Sequence, residues 1–181
     1  MRDDLTIRRE TPADAAPGGP AELLLDAAFG IPEGRRESVE RELVRGLRAD
    51  GDVIDELTFV AELDGEVVGH VVCSRATLGE APSVGLGPIA VRPDHQQQGI
   101  GAALMMAVVS SADRVWQPEI VLLGDPEYYG FFGFVPASSV GIGSPGPWED
   151  AFFQVLTLRS WTGERAGAFR YAPAFERLPA G

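Results

Sequence analysis

The chain contains no lysine and no asparagine, and it has one cysteine and two histidines in 181 residues. Without lysine it cannot form the Gly-Lys-Ser/Thr loop that binds nucleoside triphosphates. Its 15 basic residues are therefore all arginines, which 27 acidic residues outnumber to leave a formal net charge of -12. A net charge of this sign disfavours nucleic acid and anionic lipid as partners.

Cysteine and long apolar segments are equally scarce. Cys73 has no second cysteine for a disulfide and no Cys or His at zinc-ligand spacing, so we interpret it as a small buried hydrophobe in a reducing compartment. No apolar run approaches the roughly 18 residues of a membrane span. Met1-Arg2-Asp3-Asp4 leads into mixed polar sequence rather than an apolar signal core. We expect a cytoplasmic protein with no membrane span and no metal.

The overall composition is that of a globular protein, with 45% hydrophobic and 23% charged residues. The length suits one hydrophobic core, and no internal repeat or linker divides the chain. The sequence therefore predicts a single domain over residues 1–181.

The apolar periodicity predicts alternating strands and helices. Gly30 is expected to end the first helix in a left-handed turn, the Arg- and Glu-rich face of the second is expected to be solvated, and Asp64-Gly65 is a strong hairpin signal. The predicted strands are 5–9, 57–63, 66–74, 84–91, 120–123 and 153–158, of which 153–158 is the last secure one, and the predicted helices are 22–29, about 35–48 and 102–112.

Two features stand at the centre of the chain. Gly87-Pro88 interrupts strand 84–91 and predicts a bulge, because proline cannot donate a ladder hydrogen bond. The strand is followed by a turn with Gly99 and Gly101 and then by an apolar helix, an order that leaves the first helical N–H groups free to bind phosphate. Taken alone, the two glycines fit the relief of a crowded turn equally well. The dinucleotide fingerprint fits poorly, because its final small residue and its acidic residue are missing.

Three short motifs in order resemble the GNAT superfamily of acyl-CoA-dependent N-acetyltransferases. They are Ile-Ala-Val-Arg-Pro at 89–93, Gln-x-x-Gly-x-Gly at 96–101 and Tyr-Gly-Phe-Phe-Gly-Phe at 129–134. The resemblance is best over residues 57–134. It implies an α/β fold with a mixed, mostly antiparallel sheet flanked by helices and a splayed central strand pair.

The resemblance also implies that acetyl-CoA is the co-substrate. Main-chain groups of 89–91 would lie beside the pantetheine arm, and the turn at 97–102 would donate to the pyrophosphate. The implied cofactor-binding residues are Ile89, Ala90, Val91, Gln96, Gln97, Gln98, Gly99, Ile100, Gly101 and Ala102.

Tyr129 matches the family's general acid, which would protonate the departing thiolate after direct attack by a primary amine. The alternative is that Tyr129 belongs to an aromatic packing cluster with Tyr128 and three phenylalanines. The general base stays unassigned, and its candidates are Glu62, His70, Glu119 and Asp125.

The acceptor is expected to be a small or exposed primary amine. The segment 141–150 is the candidate acceptor loop, because Trp148 stands next to Glu149 and Asp150 and this combination could hold a cation. An ordinary surface connection with one tucked tryptophan explains the segment equally well. A non-catalytic acyl-CoA sensor is the alternative function, and a homodimer is left open.

Overall fold

The computed structural model describes residues 4–178. Its strands and helices follow one another along the chain in this order: β1 Leu5–Arg9, α1 Pro20–Phe29, α2 Val39–Asp50, β2 Phe59–Leu63, β3 Glu66–Leu78, β4 Ala81–Val91, α3 Ile100–Arg114, β5 Glu119–Leu123, α4 Pro126–Gly130, β6 Val135–Pro136, β7 Ile142–Gly143, β8 Phe153–Thr157 and β9 Gly167–Arg170. Short 3-10 turns connect several of them, including Pro93–His95, Asp150–Phe152 and Pro173–Arg177.

The strands form one open sheet in the order β1-β2-β3-β4-β5-β8-β6, with β9 paired to the far end of β3 and β7 paired to β9. Neighbours are antiparallel except for β4 with β5 and β7 with β9. The mixed, mostly antiparallel α/β architecture predicted above is therefore confirmed. The hairpin prediction is also confirmed, because Asp64 and Gly65 join β2 to β3 with φ of 52° and 80°, as a type I′ turn requires.

Three local predictions were wrong. Gly30 ends α1 with a positive φ of 79°, but its ψ of 159° lies outside the left-handed helical turn that was expected. The second helix begins at Val39, not near residue 35, because the Ser38 hydroxyl caps it by accepting from the Arg41 N–H. Strand β9 follows β8, so 153–158 is not the last strand.

The charged face of α2 is also not simply solvated. Arg41 is 17% exposed and donates to Glu22 and Asp26 of α1, with N···O distances of 2.7 Å to each. Glu22 is almost fully buried. Because a buried carboxylate needs a partner, this contact fixes how α1 and α2 pack together.

The sheet carries α3 on one face and α1 with α2 on the other. Leu104, Met105 and Val108 of α3 pack on β2, β3 and β4, whereas Leu25 and Leu47 pack on the opposite face. Cys73 is fully buried in the core beneath α3, as the sequence predicted.

Gly69 of β3 allows α3 to lie close to the sheet. A Cβ added there would stand 2.9 Å from Ile100 Cγ2 and 3.0 Å from both Ala61 Cβ and Leu104 Cδ1. These neighbours are buried core atoms, so they have little room to move.

We expect Gly69→Ala to lower the free energy of unfolding by about 1–3 kcal/mol, the usual cost of overpacking a core. Gly130→Ala is the matched control, since an added Cβ there meets nothing within 4 Å. Urea unfolding of the two variants measures the difference. Equal stability of Gly69→Ala and the wild type would show that α3 does not need the missing side chain.

Candidate functional site

Strands β4 and β5 pair once and then separate. They run in parallel, and the pairing recorded between them joins Gly85 to Val121. On its other side β4 shifts register against β3, where Val71 pairs with Ile89 but Cys73 pairs with Leu86. The extra residue of β4 falls at Gly87-Pro88, so the predicted bulge is confirmed, and the sheet opens beyond it.

The opening exposes the main chain of β4. The Arg92 N–H donates to the Val68 carbonyl across the pair with β3. Since main-chain groups alternate in direction along an antiparallel strand, the N–H and C=O of Ile89 and Val91 point away from β3, towards the opening. Those of Ala90 face β3, where it pairs with His70.

The N-terminus of α3 lies next to this opening without a capping side chain. Gly99 is its N-cap residue, with φ 82°, and the first turn of the helix holds no acidic residue. Within residues 4–178 the other helices are compensated: α2 by Ser38, α4 by Asp125, and α1 by Glu22 in its first turn. The free N–H groups and dipole of the 15-residue α3 therefore attract an anion.

A cavity of about 350 Å³ lies over this helix end, and we call it the loop cavity. It is lined by Ile89, Val91, His95, Gln96, Gln97, Gly99, Ile100, Gly101, Ala102 and Tyr128. Eight of the ten predicted cofactor-binding residues are thus brought together here. The other two lie apart: Ala90 is buried beneath α1 and α2, and the Gln98 side chain donates back to the Asp94 carbonyl.

The two adjacent tyrosines of α4 have different surroundings. The Tyr128 hydroxyl reaches the loop cavity and would lie 2.7 Å from a Cβ added at Gly101. The Tyr129 ring packs against Gly124, just past the end of β5, where an added Cβ would come within 3 Å of it. The rings meet edge to face with centroids 4.9 Å apart.

The environment of Tyr129 keeps its hydroxyl protonated. Burial, with the negative charge that Tyr128 and Asp125 can carry nearby, raises the pKa of Tyr129 to about 12. Burial also raises the pKa of Tyr128. Both phenols are therefore proton donors, not bases, at neutral pH.

A second cavity, of about 540 Å³, opens on the other side of the β4 bulge, and we call it the bulge cavity. It is lined by Leu43, Leu86, Gly87, Pro88, Leu123, Pro145, Trp148, Arg170, Tyr171, Phe175, Glu176 and Leu178. Pro88 of this wall is followed directly by Ile89 of the loop cavity, so the two cavities adjoin along β4.

The predicted acceptor loop contributes its tryptophan but not its carboxylates. Trp148 lines the bulge cavity and stacks on Phe153. Asp150 accepts from the Ser138 hydroxyl at 2.8 Å, and neither Asp150 nor Glu149 belongs to the lining of the bulge cavity. The charged residues of its wall are instead Arg170 and Glu176.

Two of the four general-base candidates are held in ion pairs and line neither cavity. The Arg8 side chain donates to Glu62 at 2.8 Å. Both oxygens of Glu119, which is fully buried, accept from Arg165, and one also accepts from Ser83.

The other two candidates also lie outside the two cavity linings. His70 is fully buried, with Nε2 2.8 Å from the Glu10 carboxylate, on the sheet face that α1 and α2 cover. Asp125 caps α4 by accepting from the Glu127 N–H. None of the four therefore lines either cavity.

Cys73 has no role as a nucleophile. Its thiol is fully buried, and burial raises its pKa far above the ordinary value. Because the thiolate is the reactive form, this cysteine is inert at neutral pH.

Sequence reasoning missed Tyr128, Arg170 and Glu176 as cavity residues. Tyr128 was placed with the packing aromatics, although the motif register already set it next to Tyr129. Arg170 and Glu176 lie far along the chain from β4, and no local pattern marks them.

The structure between residues 4 and 178 offers neither a membrane-spanning helix nor a metal-binding cluster. No helix in this range is both long and apolar enough to cross a membrane. No group of three or more His, Cys, Asp or Glu side chains in the same range could hold a metal ion.

Known proteins share this architecture. Residues 24–122 match the Acetyltransferase (GNAT) family. "Uncharacterized N-acetyltransferase YhbS" of Escherichia coli K12 is 34% identical over 157 residues, which cover 85% of this chain and 87% of the relative. The chain therefore belongs to the GNAT acetyltransferase family.

Two solved structures of family members are similar along almost the whole chain. The E. coli YhbS structure in complex with CoA has a TM-score of 0.85 and 29% identity, covering 97% of this chain and 94% of that one. A GNAT family acetyltransferase from Brucella melitensis in complex with acetyl-CoA has a TM-score of 0.74 and 33% identity, covering 94% and 97%.

The contact between Tyr128 and the α3 N-terminus can be tested by a double-mutant cycle. Gly101→Ala should carry a steric penalty in the wild type that offsets the usual helix gain of Ala over Gly, because the new methyl group meets the Tyr128 hydroxyl at 2.7 Å. In a Tyr128→Phe background the hydroxyl is gone, and we expect the penalty to shrink by about 1 kcal/mol. Chemical denaturation of the four proteins gives the coupling free energy. Strict additivity would mean that the hydroxyl does not rest on Gly101.

Proposed function

We propose that this chain transfers an acetyl group from acetyl-CoA to a primary amine. The observation that carries the proposal is the uncapped N-terminus of α3, which opens onto a cavity beside the outward-facing main chain of Ile89 and Val91. Family membership and the CoA and acetyl-CoA named for the two related structures support it. From the sequence alone we also infer a single cytoplasmic domain.

The residues of the loop cavity fit the cofactor. Gly99 has open space where a Cβ would stand, which lets phosphate oxygens approach the N–H groups of residues 97–102. Ile89 and Val91 offer the pantetheine arm a strand edge with free donors and acceptors. The nearby Arg92 is already paired with Glu66 and Asp94, so the backbone rather than a basic side chain provides the attraction.

The thioester of acetyl-CoA supplies an activated acyl group, so the protein has to orient, polarise and move protons. A main-chain N–H at the opening of β4 donates to the thioester carbonyl, a contribution of roughly 3–4 kcal/mol per well-placed donor. Tyr129 lines neither cavity, but its ring meets that of Tyr128, which lines the loop cavity, and packs against Gly124, which follows Leu123 of the bulge cavity. This position next to both cavities supports its role as general acid.

The proton balance follows from these positions. The acceptor ammonium loses a proton to water, and its nitrogen then forms the C–N bond as the C–S bond breaks. Tyr129 donates its hydroxyl proton to the departing thiolate and regains one from solvent, while the second amine proton also leaves to water. The products are the N-acetyl amine and free CoA thiol.

The acceptor enters through the bulge cavity in this scheme. Leu86, Gly87 and Pro88 line it next to the point where β4 and β5 separate. An amine there approaches the thioester from the side opposite the loop cavity. Trp148 belongs to the proposed acceptor site. Glu149 and Asp150 do not, because neither lines the bulge cavity.

The experiment that tests the function is release of free thiol from acetyl-CoA with 2-phenylethylamine, L-phenylalanine, L-phenylalaninamide and spermidine as acceptors. Amine-dependent release supports the transferase. Tight acetyl-CoA binding without amine-dependent release favours the alternative function, a non-catalytic acyl-CoA sensor. The observation that favours this alternative is that none of the four general-base candidates lines either cavity.

The roles of the two tyrosines can be separated by matched substitutions. Tyr129→Phe should lower kcat by about 10²- to 10⁴-fold with little change in acetyl-CoA affinity, because only the general acid is lost. Tyr128→Phe should instead weaken acetyl-CoA binding and leave kcat near the wild-type value. Steady-state kinetics and calorimetry measure both effects. The reverse pattern would assign the acid to Tyr128.

Gly99→Ala tests the phosphate-binding turn. The substitution should cost about 1 kcal/mol of stability, because φ of 82° is left-handed, and it should also weaken CoA binding by placing a methyl group where phosphate approaches. Gly51→Ala is the matched control: its φ is 75°, it ends α2, and its Cβ site is equally open. Calorimetric titration with CoA compares the two. Equal CoA affinity of both variants would move the phosphate site elsewhere.

A further inference from the structure

The wall of the bulge cavity combines an apolar body with two charges. Trp148, Tyr171 and Phe175 provide its aromatic surface, and the Tyr171 and Phe175 rings are stacked with centroids 4.5 Å apart. Leu43, Leu123 and Leu178 extend the apolar lining. A ligand of this cavity therefore has an apolar part that these side chains can desolvate.

Arg170 is an unusual arginine in this protein. Most arginines between residues 4 and 178 donate to a carboxylate, carbonyl or hydroxyl oxygen, as expected in a chain of net charge -12. The exceptions in that range are Arg9, Arg36 and Arg170. Of these three, Arg170 lies in the wall of the bulge cavity, where the β9 strand ends.

Glu176 supplies the opposite charge in the same wall. It lies in the 3-10 turn Pro173–Arg177, and its side chain is exposed, as that of Arg170 is. Among the described residues no ion pair joins the two, since no N···O distance between them is within 4.0 Å. Two opposite charges thus share one cavity without neutralising each other.

We propose that the acceptor is a free amino acid with an apolar side chain. This inference rests on the proposed function and names the class of its amine substrate. The acceptor carboxylate binds Arg170, its side chain packs against Trp148, Tyr171 and Phe175, and its ammonium faces Glu176 before it loses a proton and attacks. A guanidinium matches a carboxylate in geometry as well as charge.

Other amines match this wall less well. A polyamine would bring a second cation towards Arg170 and has no aromatic body for the stacked rings. A simple apolar amine would leave the guanidinium without an anionic partner. The N-terminus of a peptide has an amide in place of the carboxylate, so L-phenylalaninamide represents that acceptor in the test.

The experiment measures kcat/KM for thiol release with L-phenylalanine, L-phenylalaninamide and 2-phenylethylamine, and with the corresponding leucine series. Because the amines differ in basicity, the diagnostic quantity is the ratio of variant to wild type for each acceptor. Arg170→Gln should lower kcat/KM about tenfold for the carboxylate acceptors and less than twofold for the other compounds. Arg36→Gln, which removes an arginine outside the cavity, should leave every ratio near one.

Glu176→Gln provides an independent arm. It should raise KM for all acetylated members of both series by a similar factor, because the ammonium is common to them. Thermal unfolding and acetyl-CoA titration of each variant show that the fold and the loop cavity are intact.

The outcomes separate this inference from the proposed function. Equal effects of Arg170→Gln on the carboxylate and amide acceptors would overturn the amino-acid class and leave the transferase standing. Acetylation of 2-phenylethylamine or the amides without acetylation of either amino acid would overturn it too. An absence of amine-dependent thiol release throughout, with acetyl-CoA still bound, would overturn the proposed function and this inference with it.

Discussion

The single pairing between Gly85 and Val121 is the constraint on which the site depends. Two parallel strands that stayed paired along their length would leave no space between them for a ligand. Here β4 stays paired with β3 and β5 with β8, while the two strands pair with each other at one position. The bulge at Gly87-Pro88 completes the separation, because proline has no N–H to donate across the gap. Both cavities follow from this one break in the ladder.

The electrostatics of the site follow from the way α3 begins. A protein with a net charge of -12 is a poor general binder of anions, and the arginine nearest the turn is held by two carboxylates. The N-cap of α3 is a glycine and its first turn is free of acidic residues, so the attraction comes from backbone dipoles. These dipoles are fixed by the fold, so the direction of the attraction is set by the geometry of the turn.

Local chemistry explains which parts of this structure could be predicted from the sequence. The Asp64-Gly65 hairpin, the Gly87-Pro88 bulge and the turn before α3 each rest on residues with special backbone preferences, and each was placed correctly. The start of α2 was missed although the N-cap Ser38 is a local signal; the further contact of the Ser38 N–H with Asp26 of α1 has no local sign in the sequence. The ion pairs of Arg41 were missed because its partners Glu22 and Asp26 lie on α1, far from it in the sequence.

The candidate site was also predictable only where it is built from residues close together in the sequence. The loop cavity is lined mostly by residues within 89–102, a continuous segment that contains two of the sequence motifs. The bulge cavity is assembled from α2, β4, β5 and the segment 170–178, and only the folded sheet brings these together. The hydrophobic periodicity of the sequence does not predict contacts between segments this far apart in the chain. The sequence therefore pointed to Glu149 and Asp150, which are adjacent to Trp148 in the chain, whereas the charged residues of the cavity wall are Arg170 and Glu176.

The raised pKa of Tyr129 sets a condition on how it can act as an acid. A phenol with a pKa of about 12 is a weaker acid than a solvated thiol, whose pKa is about 8.5, and the gap corresponds to roughly 5 kcal/mol against proton transfer. Burial changes the thiol in the same direction, as the strongly raised pKa of Cys73 illustrates within this protein. A thiolate leaving in a cleft closed to water is therefore a much stronger base than one in solution. In the proposed mechanism the donor and the leaving group approach matched proton affinities only if both are desolvated, so Tyr129 would act as the acid only with water excluded from the departing sulfur.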